Sequence, residues 1–485
     1  MKLNALLAAT TSAEVTGDAA VEIAGIAYDS RQVKPGWLFV AVPGTQADGA
    51  DYIPDAISNG AAAVVSEARV SLGAGITHVH VPAARRALAE MADVFHGSPS
   101  RAMKVVGVTG TNGKTTTTYM IRNLLRDGGL VPGLLGTVAY EVGERSIPAA
   151  RTTPEAPEIH AMFRQMVDQG CAAAVMEISS HAIALQRVHG IDFDIAVFTN
   201  LTRDHLDFHH DMESYFEAKA GFMESMDGGE GRAAVINIDD PWGRRLVTER
   251  RIGAELVTYG FGNDAQVRAG DVKLHARGTS FRIATPWGGG KVRLNLLGRF
   301  NVHNALAAVA AGGLCGLEYG RMIHTLEHLE PIPGRLELIR NRRGRKIFVD
   351  YAHTDDALEN VLRTLREICR RRLIVVFGCG GDRDHGKRSK MGRIATRLAD
   401  YAIVTTDNPR KEDPAAIIAD ITTGCDDAAH YEVVLDRRSA IERGIAMMRR
   451  RDMLLVAGKG HETYQELNGT IIPFDDREIV KEIAG

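Results

Sequence analysis

Short runs of consecutive apolar residues, rather than strict alternation, dominate the hydrophobic pattern of this chain. Runs at 104–109, 172–177, 195–199 and 233–237 are separated by stretches with apolar residues at helical spacing. A strand that is apolar on every residue is buried on both faces, so the pattern predicts a parallel sheet with helices on either side. The rhythm breaks at Pro331-Ile332-Pro333-Gly334-Arg335 and restarts with runs at 347–350, 373–377, 401–405 and 453–457. That second series reads as a doubly wound, Rossmann-like domain. Upstream, residues 1–97 are rich in Ala and Gly, with a short strand pattern at 36–42, and end at the turn-rich Gly97-Ser98-Pro99-Ser100. The expected fold class is α/β with three domains: a smaller α/β domain at 1–97, a central parallel-sheet domain at 98–333, and a C-terminal domain at 334–485.

Length agrees with that division, since 485 residues at roughly 150 per domain gives about three. A hydrophobic content of 45% and a charged content of 25% are ordinary for a globular protein. The net charge of −3 gives no sign of a nucleic-acid footprint or a basic membrane face. Five scattered cysteines form no CxxC pair, which fits a reducing compartment and argues against a disulfide framework. The start, Met1-Lys2-Leu3-Asn4-Ala5-Leu6-Leu7, imitates a signal peptide. Its apolar run is too brief, however, and an amphipathic opening helix is expected instead. No apolar run reaches membrane-spanning length, so a cytoplasmic location is expected.

The strongest local signal is Gly107-Val108-Thr109-Gly110-Thr111-Asn112-Gly113-Lys114-Thr115-Thr116, where a strand feeds a glycine loop and then a helix. Glycines let backbone N–H groups close around phosphate oxygens, and the helix N-terminus adds positive potential. Lys114 can reach β and γ phosphates, and the Thr115 hydroxyl can ligate Mg²⁺. The spacing departs from the usual Walker form, because Val108 stands where that form has glycine. By itself the loop indicates a nucleotide phosphate and does not name a reaction.

Two further strand ends carry polar groups: Glu177 with Ser179, Ser180 and His181, and Asn200 followed by Thr202 through His210. Ligands of parallel sheets bind at the carboxyl ends of strands, so both clusters are expected beside the phosphate loop. Glu177 suits Mg²⁺, and His205 suits it less because hard cations prefer oxygen. Asp204, Asp207, His209 and His210 read as a solvated polar loop. Lys219, on a helical stretch, reads as a surface lysine from its residue type alone.

Taken together, these segments resemble the Mur ligase family. The matching blocks continue along the chain at Asp29-Ser30-Arg31, Thr152-Thr153-Pro154, Gly298-Arg299-Phe300-Asn301-Val302-His303-Asn304, Asp350-Tyr351-Ala352-His353, Gly380-Gly381-Asp382-Arg383, Asp407-Asn408-Pro409-Arg410 and Gly458-Lys459-Gly460-His461-Glu462. The resemblance implies a UDP-binding first domain, a central ATPase domain and a third domain that brings an amino acid. It implies ATP contacts at Gly110, Thr111, Asn112, Gly113, Lys114, Thr115, Thr116, Asn301, Asn304 and Asp350. It revises Lys219 to a carbamylated lysine whose new carboxylate helps hold Mg²⁺ with Thr115, Glu177 and His205; Lys114, Glu177, His205 and Lys219 form the implied catalytic set. It places the UDP-sugar-peptide at Ser30, Thr45, Gln46, Ala47, Thr152, Thr153, Ser179 and Arg187. Leu185 stands where some relatives carry a substrate-binding Gln, with Gln186 next door.

The implied reaction joins an amino acid to the carboxylate of UDP-MurNAc-L-Ala-D-Glu through an acyl phosphate, with Mg²⁺ and ATP, in a monomer. Diaminopimelate ends in a carboxylate and an ammonium, whereas lysine ends in the ammonium alone. A guanidinium fork grips that extra carboxylate, and Arg410 is the candidate, with Asp407, Asn408 and Pro409 shaping its turn. Arg383, Gly458 and Glu462 complete the expected meso-diaminopimelate set. Competing readings are a sister ligase, a P-loop switch that hydrolyses ATP without forming a bond, and a non-catalytic nucleotide scaffold. Arg410 and the first domain argue against the first, and the combination of Glu177, His205 and Arg410 against the others.

Overall fold

The computed structural model describes residues 1–44, 47–73, 75–226, 228–275, 277–426 and 428–485. Thr45 and Gln46, two of the expected uracil-side residues, lie outside these. The chain packs as two compact units. One comprises Met1–Thr109, Gly129–Ala196 and Gly221–Arg232, the other Gly110–Gly128, Val197–Ala220 and Ala233–Gly485. The division falls inside the strand Ile195–Phe198.

In the first unit, five strands run in the order Glu14–Thr16, Thr77–His80, Ala61–Ser66, Trp37–Val40 and Gly25–Ala27. All neighbours are parallel except the first pair. The opening helix Leu3–Leu7 buries Leu3 and Leu6 against Val40, Val79 and Leu88, as its amphipathic pattern requires. The same unit carries Lys104–Thr109 beside Ala173–Ile178, parallel, with Glu177 opposite Val108. Gly107 has no Cβ because one would sit 2.5 Å from Ile178 Cδ1. Pro132–Leu135 extends this sheet in parallel, and Ala139–Val142 with Arg145–Pro148 adds an antiparallel hairpin.

In the second unit, Ala233–Asn237, Glu255–Gly260 and Val267–His275 are parallel neighbours. Two antiparallel strands, Gly278–Thr285 and Gly288–Leu294, follow. The expectation of a parallel sheet covered on both faces therefore holds for the central strands and fails at the ends. The terminal strands alternate buried and exposed residues, the pattern of a sheet with one wet face.

The C-terminal sheet has the order Glu337–Leu338, Lys346–Asp350, Met453–Ala457, Leu373–Phe377, Tyr401–Val404 and Tyr431–Val433. It is parallel apart from its first strand. One face packs on the helices Asp355–Ile368, Arg388–Leu398 and Pro414–Thr422, the other on Arg437–Met447 and Asp476–Ala484. Helices on both faces of a parallel sheet make this the doubly wound domain read from the sequence. Asp355 stands in the first turn of its helix behind the Thr354 cap, where a carboxylate favours the helix dipole. The five cysteines are free thiols. Among the described residues no helix is long and apolar enough to cross a membrane.

Candidate active site

The strand Lys104–Thr109 hands the chain to a loop that opens the helix Lys114–Asp127, with Gly113 as its cap at φ +88°. A side chain at Gly110, φ +146°, would run into Thr199 Oγ1, and one at Gly113 into Asn304 Oδ1. Both glycines are therefore fixed by left-handed backbone and by close neighbours. The loop is braced by Asn200, whose carbonyl accepts from Thr111 N at 2.8 Å and whose Oδ1 accepts from Asn112 N at 2.9 Å. Asn112 Nδ2 donates to Asp356 Oδ2 at 2.8 Å. Thr116 is buried in the first turn of the helix. Lys114 Nζ folds back on the carbonyls of Gly110 and Thr111, both at 2.9 Å. In that pose the ammonium marks the concave side of the loop, where a phosphate oxygen would compete for it.

Lys219 corrects the surface reading. It is 1% exposed, its Nζ donates to Gly110 O at 3.1 Å and lies 4.9 Å from the Tyr215 ring. Burial pulls its amine well below the usual lysine range, Lys114 adds to the shift, and Asp204 opposes it. Burial and one neighbouring cation both favour the neutral amine, the form that acts as a nucleophile.

The loop 204–210 is likewise less solvated than its composition suggests. Burial alone would raise Asp204, but its neighbours His205, His353, Lys387 and Lys114 outweigh it and hold the carboxyl below its usual range. His209 is 6% exposed and stacks on Tyr215 with centroids 5.0 Å apart. Asp207 and His210 are exposed, as expected. His205 sits at φ +53° as a helix cap, its Nε2 3.2 Å from Asp204 Oδ2, with the side chain 38% exposed.

Around the same loop, Asn304 Nδ2 donates to Asn301 Oδ1 at 3.0 Å, so these two amides form one unit. Asp350 accepts from Leu336 N at 2.5 Å and from Ala352 N at 2.7 Å, and burial raises its carboxyl to about 6. Arg335, taken from the sequence only as part of a linker, donates to Thr115 Oγ1 at 2.8 Å and lies over the Tyr351 ring. Its only sequence signal is its place directly after Pro333-Gly334, where a turn fixes the backbone.

The first unit holds its own cluster. Glu177, 1% exposed, accepts from Thr137 N at 2.8 Å and from Thr137 Oγ1 at 2.9 Å. Thr137 Oγ1 in turn meets Thr152 Oγ1 at 3.1 Å. Thr153 Oγ1 donates to Glu177 O at 2.8 Å and accepts from Ser179 N at 3.0 Å, while Ser179 caps the next short helix. Arg187 reaches Glu155 at 2.8 Å and Thr153 O at 3.1 Å. Arg151 and Arg85 converge on the same Glu155 at 3.0 and 3.7 Å. Three guanidinium groups on one carboxylate leave an excess of positive charge suited to an anionic partner, and sequence reading missed two of them. Gln186 is exposed at φ +56°, and the neighbouring Leu185 offers no polar group. Ser30 is 5% exposed with its carbonyl accepting from Asn59, whereas Ala47 is exposed.

In the C-terminal sheet, the carboxyl ends of Leu373–Phe377, Tyr401–Val404 and Met453–Ala457 carry the third group. Arg410 stands at φ +54°, its backbone held by Glu466 O at 3.1 Å and its Nη1 donating to Gly381 O at 2.7 Å. Its Nε is 3.5 Å from Glu466, and Nη2 has no partner among the described residues. A Cβ on Gly380 would lie 2.9 Å from Arg410 Nη1 and 4.0 Å from Arg383 Cγ, so the two arginines flank that glycine. Arg383 is otherwise exposed. Pro409 turns its carbonyl toward Gly381.

Asn408 donates to Glu462 Oε2 at 2.9 Å and accepts from Lys459 Nζ at 3.0 Å; Lys459 also meets Glu462 at 3.1 Å. Burial and the Asp407 carboxylate raise Glu462. Asp407 would itself be raised by burial, but Lys459, Arg437 and His353 hold it down. A side chain at Gly458 would strike Asp407 Oδ2. The fully buried Lys459 escaped the sequence reading, although it lies inside the Gly-Lys-Gly-His-Glu block.

Three family models match the chain: "Mur ligase family, catalytic domain" at residues 22–96, "Mur ligase middle domain" at 108–312, and "Mur ligase, glutamate ligase domain" at 334–460. The chain belongs to the Mur ligase family. A relative from Geobacter metallireducens named UDP-N-acetylmuramoyl-L-alanyl-D-glutamate–2,6-diaminopimelate ligase is 46% identical and covers 99% of this chain and 98% of its own. A Bacillus velezensis protein of the same name is 42% identical over 99% and 98%. A solved structure bearing that name matches this Mur ligase with a TM-score of 0.70 at 33% identity, covering 100% of this chain and 98% of that one. A MurF ligase from Thermotoga maritima, solved with ADP, shares the fold at TM-score 0.63 and 21% identity, over 90% and 94%.

Proposed function

We propose that this Mur ligase joins meso-diaminopimelate to the D-glutamyl carboxylate of UDP-MurNAc-L-Ala-D-Glu, with ATP converted to ADP and phosphate. The observation that carries the choice of amine is Arg410. Its left-handed backbone is pinned by the hairpin strand Tyr464–Leu467, and its Nη2 is left for a carboxylate. Lysine lacks that carboxylate and would leave the remaining guanidinium donor without a ligand partner, which is how a polar site rejects an analogue missing one group. The names of the relatives, 42–46% identical, support the same pair of substrates.

Chemically, a carboxylate oxygen attacks the γ-phosphorus and ADP leaves. The neutral amine then attacks the acyl carbonyl, loses a proton, and phosphate departs. Lys114 would bear on the transferring phosphoryl group. The oxygen donors assigned to Mg²⁺ are Thr115 Oγ1, the Glu177 carboxylate and a carbamate on Lys219, with His205 contributing indirectly. Oxygen donors fit this hard cation, and the buried amine of Lys219, held below the usual lysine range by its burial, fits addition of CO₂. Bound there, Mg²⁺ would neutralise charge on the phosphates. Asn301, Asn304 and Asp350 are assigned to the nucleotide. Thr152, Thr153, Ser179, Arg187, Ser30, Thr45, Gln46 and Ala47 are assigned to the UDP substrate, supported by the arginine excess around Glu155. Arg383, Asp407, Asn408, Pro409, Gly458 and Glu462 complete the amino-acid site. We assign three functional domains, 1–97, 98–333 and 334–485, to a cytoplasmic monomer.

The test is phosphate release with the UDP-dipeptide and either amino acid. Release with diaminopimelate and little with lysine is expected. Equal use of both amino acids defeats the specificity claim, and release without any amino acid defeats the ligase.

A further inference from the structure

The net charge of −3 averages over an uneven surface. Segment 340–346 carries four arginines and a lysine, and 370–372 and 449–451 are each three arginines in a row. These segments lie far apart in sequence, but each leads into one of three adjacent parallel strands. Lys346 pairs with Met453, and Met453 with Leu373, so the three turns stand side by side on the amino edge of the C-terminal sheet. The turns are tied to one another. Arg345 Nη1 donates to Ile445 O at 2.7 Å, and Arg372 binds both Met447 O and Asp452 at 2.7 Å. All the arginines of the cluster except Arg345 and Arg372 are exposed, and none of the exposed ones has a carboxylate partner among the described residues. The acids nearby are few and occupied: Asp452 is held by Arg372, and Asp400 by Arg366. Glu367 stands in the same segment as Arg370 and Arg371.

We propose that this edge docks on an anionic phospholipid surface. Three neighbouring strands spaced about 4.8 Å apart present their turns as one broad front, the geometry for many weak contacts with a field of headgroup phosphates. Nucleic acid fits less well. Segments 339–346, 366–373 and 446–453 contain no Phe, Tyr or Trp to stack on bases. Asp350, Gly380, Asp407 and Gly458 lie at the opposite, carboxyl edge, about 17 Å away along five-residue strands. Docking through the arginines therefore leaves the amino-acid site facing water. This departs from the expectation of no membrane partner, which rested on total charge and not on its placement.

The full-length protein is sedimented with vesicles of phosphatidylcholine alone or mixed in equal parts with phosphatidylglycerol. Binding to the mixed vesicles only is expected, lost in about 1 M NaCl, where the screening length is about 3 Å. Each arginine removed should weaken partition about fivefold, so the triple variant Arg342→Gln, Arg343→Gln, Arg450→Gln should lose about a hundredfold. Its acceptor-dependent phosphate release should be unchanged. The double variant Arg370→Gln, Arg371→Gln, in a separate turn, gives an independent reading should the triple variant fold poorly. Absence of binding to anionic vesicles overturns the proposal, as does undiminished binding by both variants. Tighter binding to random-sequence RNA than to vesicles, lost in the same variants, also overturns it and assigns the edge to nucleic acid.

Discussion

Replacing Arg410 with Ala isolates the proposed basis of amine choice. The residue occupies left-handed backbone at φ +54°, and Arg and Ala suffer the same Cβ strain there, so the substitution adds no backbone cost. What disappears is a guanidinium already oriented by Gly381 O at 2.7 Å and by Glu466 at 3.5 Å. A hydrogen bond to a charged group contributes about 1.5–3 kcal/mol, so losing a carboxylate-guanidinium contact should lower kcat/KM for diaminopimelate about ten- to a hundred-and-fiftyfold. The KM for ATP should stay within about twofold, because the contact is made to the amino acid alone. Arg410→Lys should fall between the two, since an ammonium keeps the charge and loses the fork. Steady-state phosphate release with each substrate varied in turn gives all three numbers. A loss under fivefold for diaminopimelate, or a parallel rise in the KM for ATP, would refute the reasoning.

Lys219→Ala should abolish phosphate release, and small carboxylic acids should partly restore it by standing in for the carbamate; enzyme stripped of CO₂ should recover when bicarbonate is added. Failure of both rescues would remove the carbamate from the account. Asp476→Ala strips the nearer of two carboxylates from the fully buried Arg437, 2.7 Å away, and leaves Asp407 at 3.9 Å, at a cost of about 3 kcal/mol. Its melting temperature should drop by roughly 10 °C, and a drop of only one or two degrees would contradict this ion pair's role. His160 is completely buried, and burial holds its imidazole down at about 3. Below pH 6.5 the unfolded chain gains a proton that the fold refuses, so stability falls from there down to about pH 3, at roughly 1.4 kcal/mol per pH unit. Denaturant titrations of His160→Leu should show a shallower acid slope than the parent, and equal slopes would rule out this histidine as the cause.

The strands that sequence reading placed well share one property: burial on both faces. Lys104–Thr109, Ala233–Asn237, Leu373–Phe377 and Met453–Ala457 match their apolar runs residue for residue. The phosphate loop was equally legible, because its glycines answer to local backbone and close neighbours. The antiparallel strand Gly288–Leu294 escaped because one face is wet and its three glycines dilute the alternation. Lys219 was misjudged from its residue type, yet Tyr215 and Lys219 share a helical face at i and i+4, and both are buried. The three arginines on Glu155 come from positions 85, 151 and 187, and no local pattern records such a meeting. The same holds for the arginine edge of the C-terminal sheet, which exists only once strand order is known.

The most direct test follows oxygen. A UDP-dipeptide labelled with ¹⁸O in the D-glutamyl carboxylate is turned over with ATP and diaminopimelate, and the released phosphate is weighed by mass spectrometry. One labelled oxygen per phosphate, in step with amide formed, is the predicted result. Unlabelled phosphate would mean that water, not the substrate carboxylate, attacks ATP, and the ligase account would be wrong.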